Sequence, residues 1–333
     1  MKSGSSNAPG CDEIRHVLLS GGREVGGLQS FASNVGSGFD ALGISSEIVG
    51  TPRAMLRRWK AMRDPTVLKI FSTWAIFLCP FARNAIAVAH GFPRVDAQGV
   101  VKFLAILASF KLAQRTARLV AVSGYVQRHL SALFDIRCVA AIHNPLPACW
   151  SGARPAKGTR NLITYIGRLH PVKRTDEFLP AVIDMLDANP QVEALIVGSG
   201  ECKAELLRIA NGHARVHFVE SMSSQEVMNA LARTKVFFSG CDTEAFGISL
   251  LEAAVSGCNI VTTGSGGFVE VLVPDINTTA FLLPPNFSRE QCLAALEAAL
   301  SAPEHRLSDE AFLPAAIARL YMVVAEPVSG RAS

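Results

Sequence analysis

Short apolar runs that end in a glycine or polar turn alternate with longer stretches of helical character, and the pattern occurs twice. In the first half the runs cover 16–20, 44–49, 85–91, 118–124 and 138–144, with helical stretches at 28–42, 100–117 and 125–134. The second half repeats the scheme with runs at 161–169, 192–200, 216–220, 235–240 and 259–267. Its helical stretches are 175–186, 201–210, 223–234 and 248–257, with Ser223 or Ser224 as N-cap of the third. Such alternation builds parallel sheet, because each parallel pairing needs a crossover long enough to hold a helix. Ligands of such sheets bind beyond the carboxyl ends of the strands.

The segment 144–160 interrupts the alternation with Pro, Gly and basic residues and reads as a linker. With 333 residues, the expectation is an α/β chain of two Rossmann-like domains. They cover 1–155 and 156–305, followed by a C-terminal segment 306–333. Within that segment, 309–325 reads as an apolar helix interrupted by Pro314.

Composition narrows the class further. Charged residues make up 18% and hydrophobic residues 49%, which excludes a disordered chain. The mean hydropathy of +0.28 raises the question of a membrane span. The longest apolar stretches are 67–89, broken by Lys69, Pro80, Arg83 and Asn84, and 100–113, which holds Lys102 and Lys111. Neither supplies the roughly 20 clean apolar residues that a span needs, so both are expected to be buried or interfacial. Residues 1–16 lack a signal-peptide core and read as a short disordered lead. The eight cysteines form no C-x-x-C pair, which suits a reducing, cytoplasmic setting. The net charge of +4 hides an asymmetry: residues 1–155 carry 18 cations against 8 acids, the remainder 14 against 20. No aromatic stacking platform accompanies the basic excess, so nucleic acid is a poor partner. Gly36, Gly38 and Gly43 do not form a dinucleotide fingerprint, because Ala41 stands between them and they fall inside a helical stretch.

Two windows carry the chemistry. In 241–257 a polar loop holds Glu244, Gly247 and Ile248 begin a helix, and Glu252 lies about a turn into it. A helix start offers free N–H groups and a partial positive charge to a phosphate. Eight residues at about 1.5 Å each would separate the two glutamates by roughly 12 Å in a continuous helix. That span suits hydroxyl groups on either side of a diphosphate. In 165–178 a strand ends at Gly167, and Arg168 and Lys173 lie on the following loop. Two cations there would neutralise a departing diphosphate. Spacing alone leaves open a solvated loop and surface charges.

The order GRLHPVKRTDEFL, then TEAFGISLLEAAVSG about 70 residues on, resembles the GT4 family of retaining glycosyltransferases of GT-B fold. The likeness covers about 160–300 and, more loosely, HVLLSGGREVGGLQSFA, AVAHGF, VAVSGYVQRHL and AIHNPL. It implies two Rossmann-like domains facing across a cleft and a last helix crossing back to the first domain. It further implies that Arg168 and Lys173 hold the donor diphosphate and that Glu244 binds the donor sugar. Phe246, Gly247 and Ile248 would offer backbone near sugar and phosphate, and Glu252 would take the ribose hydroxyls. Gly26 and Gly27 would form a glycine loop at the donor phosphate, and His90 would sit near the transferred sugar. Gly198 and Gly200, with 217–219, would fall in the base pocket. A UDP- or GDP-linked sugar is then the donor substrate, and neither a cofactor nor a metal is expected. Asp242-Thr243-Glu244 is not a DxD cluster. The sequence departs from the family at His143-Asn144-Pro145 and at Ala245, which leaves acceptor and donor geometry open. A nucleotide-sugar epimerase of the same fold and a non-catalytic sugar-nucleotide-binding subunit remain alternatives.

Residues 52–64 place Arg53, Arg57, Arg58, Lys60 and Arg63 among Met55, Leu56, Trp59 and Met62. At helical spacing the four apolar residues share a face, which suits an anionic membrane surface as well as a core-packed helix. The expected setting is therefore peripheral, on the cytoplasmic face, with a glycan or lipid-linked acceptor of cell-surface polysaccharide, lipopolysaccharide or glycolipid synthesis.

Overall fold

The computed structural model describes residues 14–20, 27–95, 99–150, 160–272 and 280–326. It divides into two compact units, 1–148 with 310–333, and 149–309. Gly26 and most of the expected linker lie outside the described residues.

The first unit is built on six strands: β1 His16–Ser20, β2 Ser45–Val49, β3 Val67–Ser72, β4 Ala85–Ala89, β5 Arg118–Ala121 and β6 Ala140–Ala141. They form one parallel sheet in the order β2-β1-β3-β4-β5-β6. The apolar stretch from Val67 resolves into β3, a 3-10 segment Thr73–Phe81, and β4. Every residue of β3 is buried, including Lys69. The Lys69 ammonium escapes isolation by donating to the carbonyls of Asp64 and Val67, at 2.5 and 2.7 Å. Burial pulls its pKa down to about 8.

The segment 52–64 differs from its expected form. It folds as two short helices, Pro52–Arg57 and Trp59–Arg63. Met55 and Met62 enter the core, whereas Trp59 is 46% exposed. The break at Arg58 turns Trp59 away from the methionines, so Met55, Trp59 and Met62 do not share one face.

Pro314 also acts differently from the expectation: it begins the helix Pro314–Ala325 rather than interrupting it. At a first helical position its missing N–H costs nothing. This helix packs against Gly27–Ala41 within the first unit. The contact is close enough that a Cβ at Gly38 would lie 2.1 Å from the Pro314 carbonyl oxygen.

The second unit has strands β7 Leu162–Ile166, β8 Glu193–Val197, β9 Val216–Val219, β10 Thr234–Ser239, β11 Asn259–Thr263 and β12 Ala280–Leu283. All pairings are parallel, in the order β12-β11-β10-β7-β8-β9. Helices Thr175–Ala188 and Arg289–Ser301 cover a core that includes Phe178, Phe238, Ile163, Val261 and Leu296. Ser223 caps Ser224–Arg233 in a capping box with Glu226. The chain runs outward from β7 to β9 on one side and from β10 to β12 on the other. The junction of β7 and β10 is therefore the point where strand order reverses, which opens a crevice at the carboxyl ends of these two strands.

Candidate functional site

The loops leaving β7 and β10 flank that reversal point. Lys173 stands on the first and Glu244 on the second, and the lysine ammonium donates to Glu244 Oε2. Both side chains are mostly enclosed, with 16% and 22% exposure. Burial alone would lower the Lys173 pKa, but the charge of Glu244 overcomes it and the net shift is upward. Lys173 therefore remains a cation.

The two loops are fastened around this pair. Arg174, at φ 52° in the left-handed region, donates to Glu177 and Asp242 at 2.8 and 2.9 Å. Its guanidinium also covers the Phe287 ring at 4.5 Å. Arg174 is thus a clamp between strand ends. From the other side, the turn after β11 holds the Glu244 loop. Ser265 donates to the Asp242 carbonyl at 2.9 Å, and the Gly267 N–H donates to the Glu244 carbonyl at 2.7 Å. The sequence signals this support only through the run Gly264-Ser265-Gly266-Gly267, which reads as an ordinary turn.

Gly247 precedes the helix Ile248–Val255 with φ 84°, a conformation that disfavours every L side chain. A Cβ there would crowd Leu250, the Glu244 side chain and Phe268 at 3.1–3.4 Å. Phe246 is buried beside it and anchors the loop. Ile248 opens the helix, so its N–H and those of the next two residues precede the first intrahelical bond, from the Leu251 N–H to the Gly247 carbonyl. Glu252 sits one turn on, is buried, and has its pKa pushed up to about 8 by burial. Cys149 is near it, since the carboxyl adds to the burial that raises the thiol.

Arg168 follows β7, is exposed, and has no ion-pair partner among the described residues. The Tyr165 hydroxyl fixes its backbone by donating to the Arg168 carbonyl at 2.8 Å. Gly198 lies next door at the end of β8, where a Cβ would fall 1.8 Å from the Gly167 carbonyl oxygen. Its first duty is to let two strand-end loops pack backbone to backbone. In the neighbouring strand β9, His217 is the second residue and pairs with Glu193 at 3.4 Å.

One group of anticipated residues is thus assembled in the second unit: Arg168, Lys173, Glu244, Phe246, Gly247, Ile248 and Glu252, with Gly198 at the adjoining loop. The arrangement presents an exposed cation, a paired cation and a helix start, with one carboxylate in the pair and a second that is buried. That set can bind a diphosphate together with hydroxyl groups. His90 and Gly27 belong to the first unit. Gly27 begins the helix Gly27–Ala41. His90 follows β4, packs edge-on to Phe31 at 4.5 Å, and is lowered to about pKa 4 by burial. Its Nε2 is buried without a hydrogen-bond partner among the described residues.

Residues 150–311 match the model of a family described as glycosyl transferases group 1. Among curated relatives, a Corynebacterium glutamicum GDP-mannose-dependent monoacylated α-(1-6)-phosphatidylinositol monomannoside mannosyltransferase is 32% identical over 35% of this chain and 32% of its own. The Saccharomyces cerevisiae phosphatidylinositol N-acetylglucosaminyltransferase GPI3 subunit is 30% identical over 39% of this chain and 30% of its own. The chain spans about a third of the length of these relatives. The crystal structure of Anabaena HepE with UDP and glucose superposes over 94% of both chains, with a TM-score of 0.65 and 16% identity. This likeness establishes the GT-B fold.

Proposed function

We propose, on the match of residues 150–311 to the glycosyl transferases group 1 model, that the protein is a retaining glycosyltransferase. It moves a sugar from a nucleoside-diphosphate donor to an acceptor hydroxyl. The observation that carries this reading is the Lys173–Glu244 pair at the reversal point of the second sheet, with the helix start at Gly247 alongside.

In the free chain Lys173 and Glu244 neutralise each other. An arriving donor gives each a second partner. The ammonium and Arg168 meet the diphosphate, while the carboxylate accepts hydrogen bonds from sugar hydroxyls. As the bond from the anomeric carbon to the diphosphate breaks, negative charge grows on the leaving oxygen. Two cations and the free N–H groups at Ile248 already point a positive field at that region. Glu252 takes the ribose hydroxyls. Because these groups supply the stabilisation, the proposed reaction calls for no resident metal or cofactor.

The donor is a UDP- or GDP-linked sugar. The two named relatives act on phosphatidylinositol-type substrates by their descriptions, which favours a lipid-linked or glycolipid acceptor at the cytoplasmic face of a membrane. A thermal-shift screen against UDP-, GDP-, ADP- and TDP-sugars tests the donor class. NMR of the product tests retention at the anomeric carbon. Failure of every nucleotide to stabilise the protein would remove the reading. Sugar isomerisation without acceptor would replace it with an epimerase.

A further inference from the structure

The first unit carries an aromatic surface that the donor chemistry does not use. Trp59, Phe77 and Phe81 are 46%, 43% and 50% exposed. The Trp59 and Phe81 rings lie 6.4 Å apart, and the Arg63 guanidinium stands 5.9 Å from the Trp59 ring. Phe77 and Phe81 belong to the segment Thr73–Phe81, which is anchored from below by buried Ala75, Ile76 and Cys79. That segment packs against the helix Val100–Thr116, where Val100, Val101 and Leu104 are 61%, 84% and 55% exposed. Scattered exposed apolar residues need no explanation, but aromatic and aliphatic side chains on packed neighbouring elements do.

The charges nearby select the occupant. Arg53, Arg57, Lys60 and Arg63 are exposed and have no carboxylate partner among the described residues. The local acids are already engaged: Glu47 binds Arg58, and the Asp64 carboxylate accepts from Thr66. A two-fold contact with a second copy would set these cations against their own copies, which is repulsive. An anionic bilayer instead gives each cation a headgroup and gives the rings the interfacial zone they favour.

We propose that Trp59, Phe77 and Phe81, flanked by Arg53, Arg57, Lys60 and Arg63 and extended by Val100, Val101 and Leu104, form the surface that enters an anionic membrane. The inference rests on the lipid-linked acceptor of the preceding section and names the side chains that bring the enzyme to it. Insertion is shallow: the rings reach the level of the headgroups and upper acyl chains, and the stems of the cations lie along them.

The test is co-sedimentation of the full chain with phosphatidylcholine vesicles, with and without phosphatidylglycerol, at low and high salt. Wild-type protein should bind the anionic vesicles, and Trp59 emission should shift to the blue. The shift should vanish in Trp59→Phe, which retains Trp74 and Trp150. Phe77→Ser with Phe81→Ser should weaken partitioning about tenfold or more while leaving its salt dependence intact. Arg53→Gln, Arg57→Gln and Lys60→Gln together should erase the preference for anionic lipid. Melting temperature and stabilisation by donor nucleotide, measured on the same samples, should stay at wild-type values. Binding that the aromatic variant leaves unchanged, no wild-type binding at low salt, or self-association abolished by the same substitutions would each overturn the insertion surface. Vesicle binding without nucleotide binding would overturn the transferase reading instead.

Discussion

Lys173 and Glu244 lie 71 residues apart in sequence and form one charged unit where β7 and β10 meet. The sheet order brings the two loops together, and Arg174 on the first then holds Asp242 on the second. Lys173→Met should leave a mostly enclosed carboxylate without its counter-charge, at a cost of about 1–2 kcal/mol after allowing for solvent. Turnover should fall by about 100-fold or more, because a group opposing the leaving-group charge is lost. Lys173→Arg should recover much of the stability. Urea unfolding combined with steady-state kinetics separates the two effects, and near-normal turnover in Lys173→Met would remove the assignment.

Glu252 should make stability depend on pH. Burial raises its pKa from 4.5 to about 8, so the folded chain keeps a proton that the unfolded chain releases in this window. The contribution is fully present below the lower value and is lost as pH rises through the upper one. Glu252→Gln should flatten the stability profile between about pH 5 and 8 and raise stability at the alkaline end, by at most a few kcal/mol. The same variant should weaken nucleotide binding. Urea titrations across this range, with calorimetric binding of UDP and GDP, check both.

His90 has the opposite sign. Burial lowers its pKa from 6.5 to about 4, so the unfolded chain binds the extra proton. The contribution is present above the upper value and is lost as pH falls toward the lower one. His90→Gln should remove that acid slope. The imidazole resonances of the wild type should show a neutral ring down to about pH 5. An NMR titration with its midpoint near the ordinary histidine value would contradict the buried environment.

Gly38 tests the seating of the last helix. Its missing side chain admits the Pro314 carbonyl at a distance no Cβ tolerates. Gly38→Ala should force the two helices apart and cost more than a helix-interior Gly→Ala exchange would gain, leaving a net loss of about 1–3 kcal/mol. Gly38→Leu should be worse. Thermal melts rank them, and an alanine variant as stable as wild type would show that the helix can move at no cost.

Much of the strand–helix order was legible because its signals are local. An apolar run closed by glycine, or Ser223 three residues before Glu226, announces itself within a few positions. The strands β3 and β12 were harder to see. β3 hides in a long apolar stretch and contains Lys69, whose charge argues against a buried strand until the carbonyls of Asp64 and Val67 are in view. The segment 52–64 misled for a related reason. Periodicity assumes one continuous helix, and the break at Arg58 sends Met55 and Met62 inward and Trp59 outward.

By itself the sequence determined the α/β class, the twofold repetition of the alternation, and which residues could do chemistry. Arg168, Lys173, Glu244, Gly247 and Glu252 all stand at predicted strand ends or helix starts, because backbone geometry at those places depends on near neighbours. Tertiary structure decided which of them meet. The Lys173–Glu244 pair, the Arg174 clamp on Asp242 and Phe287, and the hold of Gly267 on the Glu244 carbonyl all follow from strand order. Strand order is set by burial of whole sheet faces, a sum over the domain that no window of sequence contains.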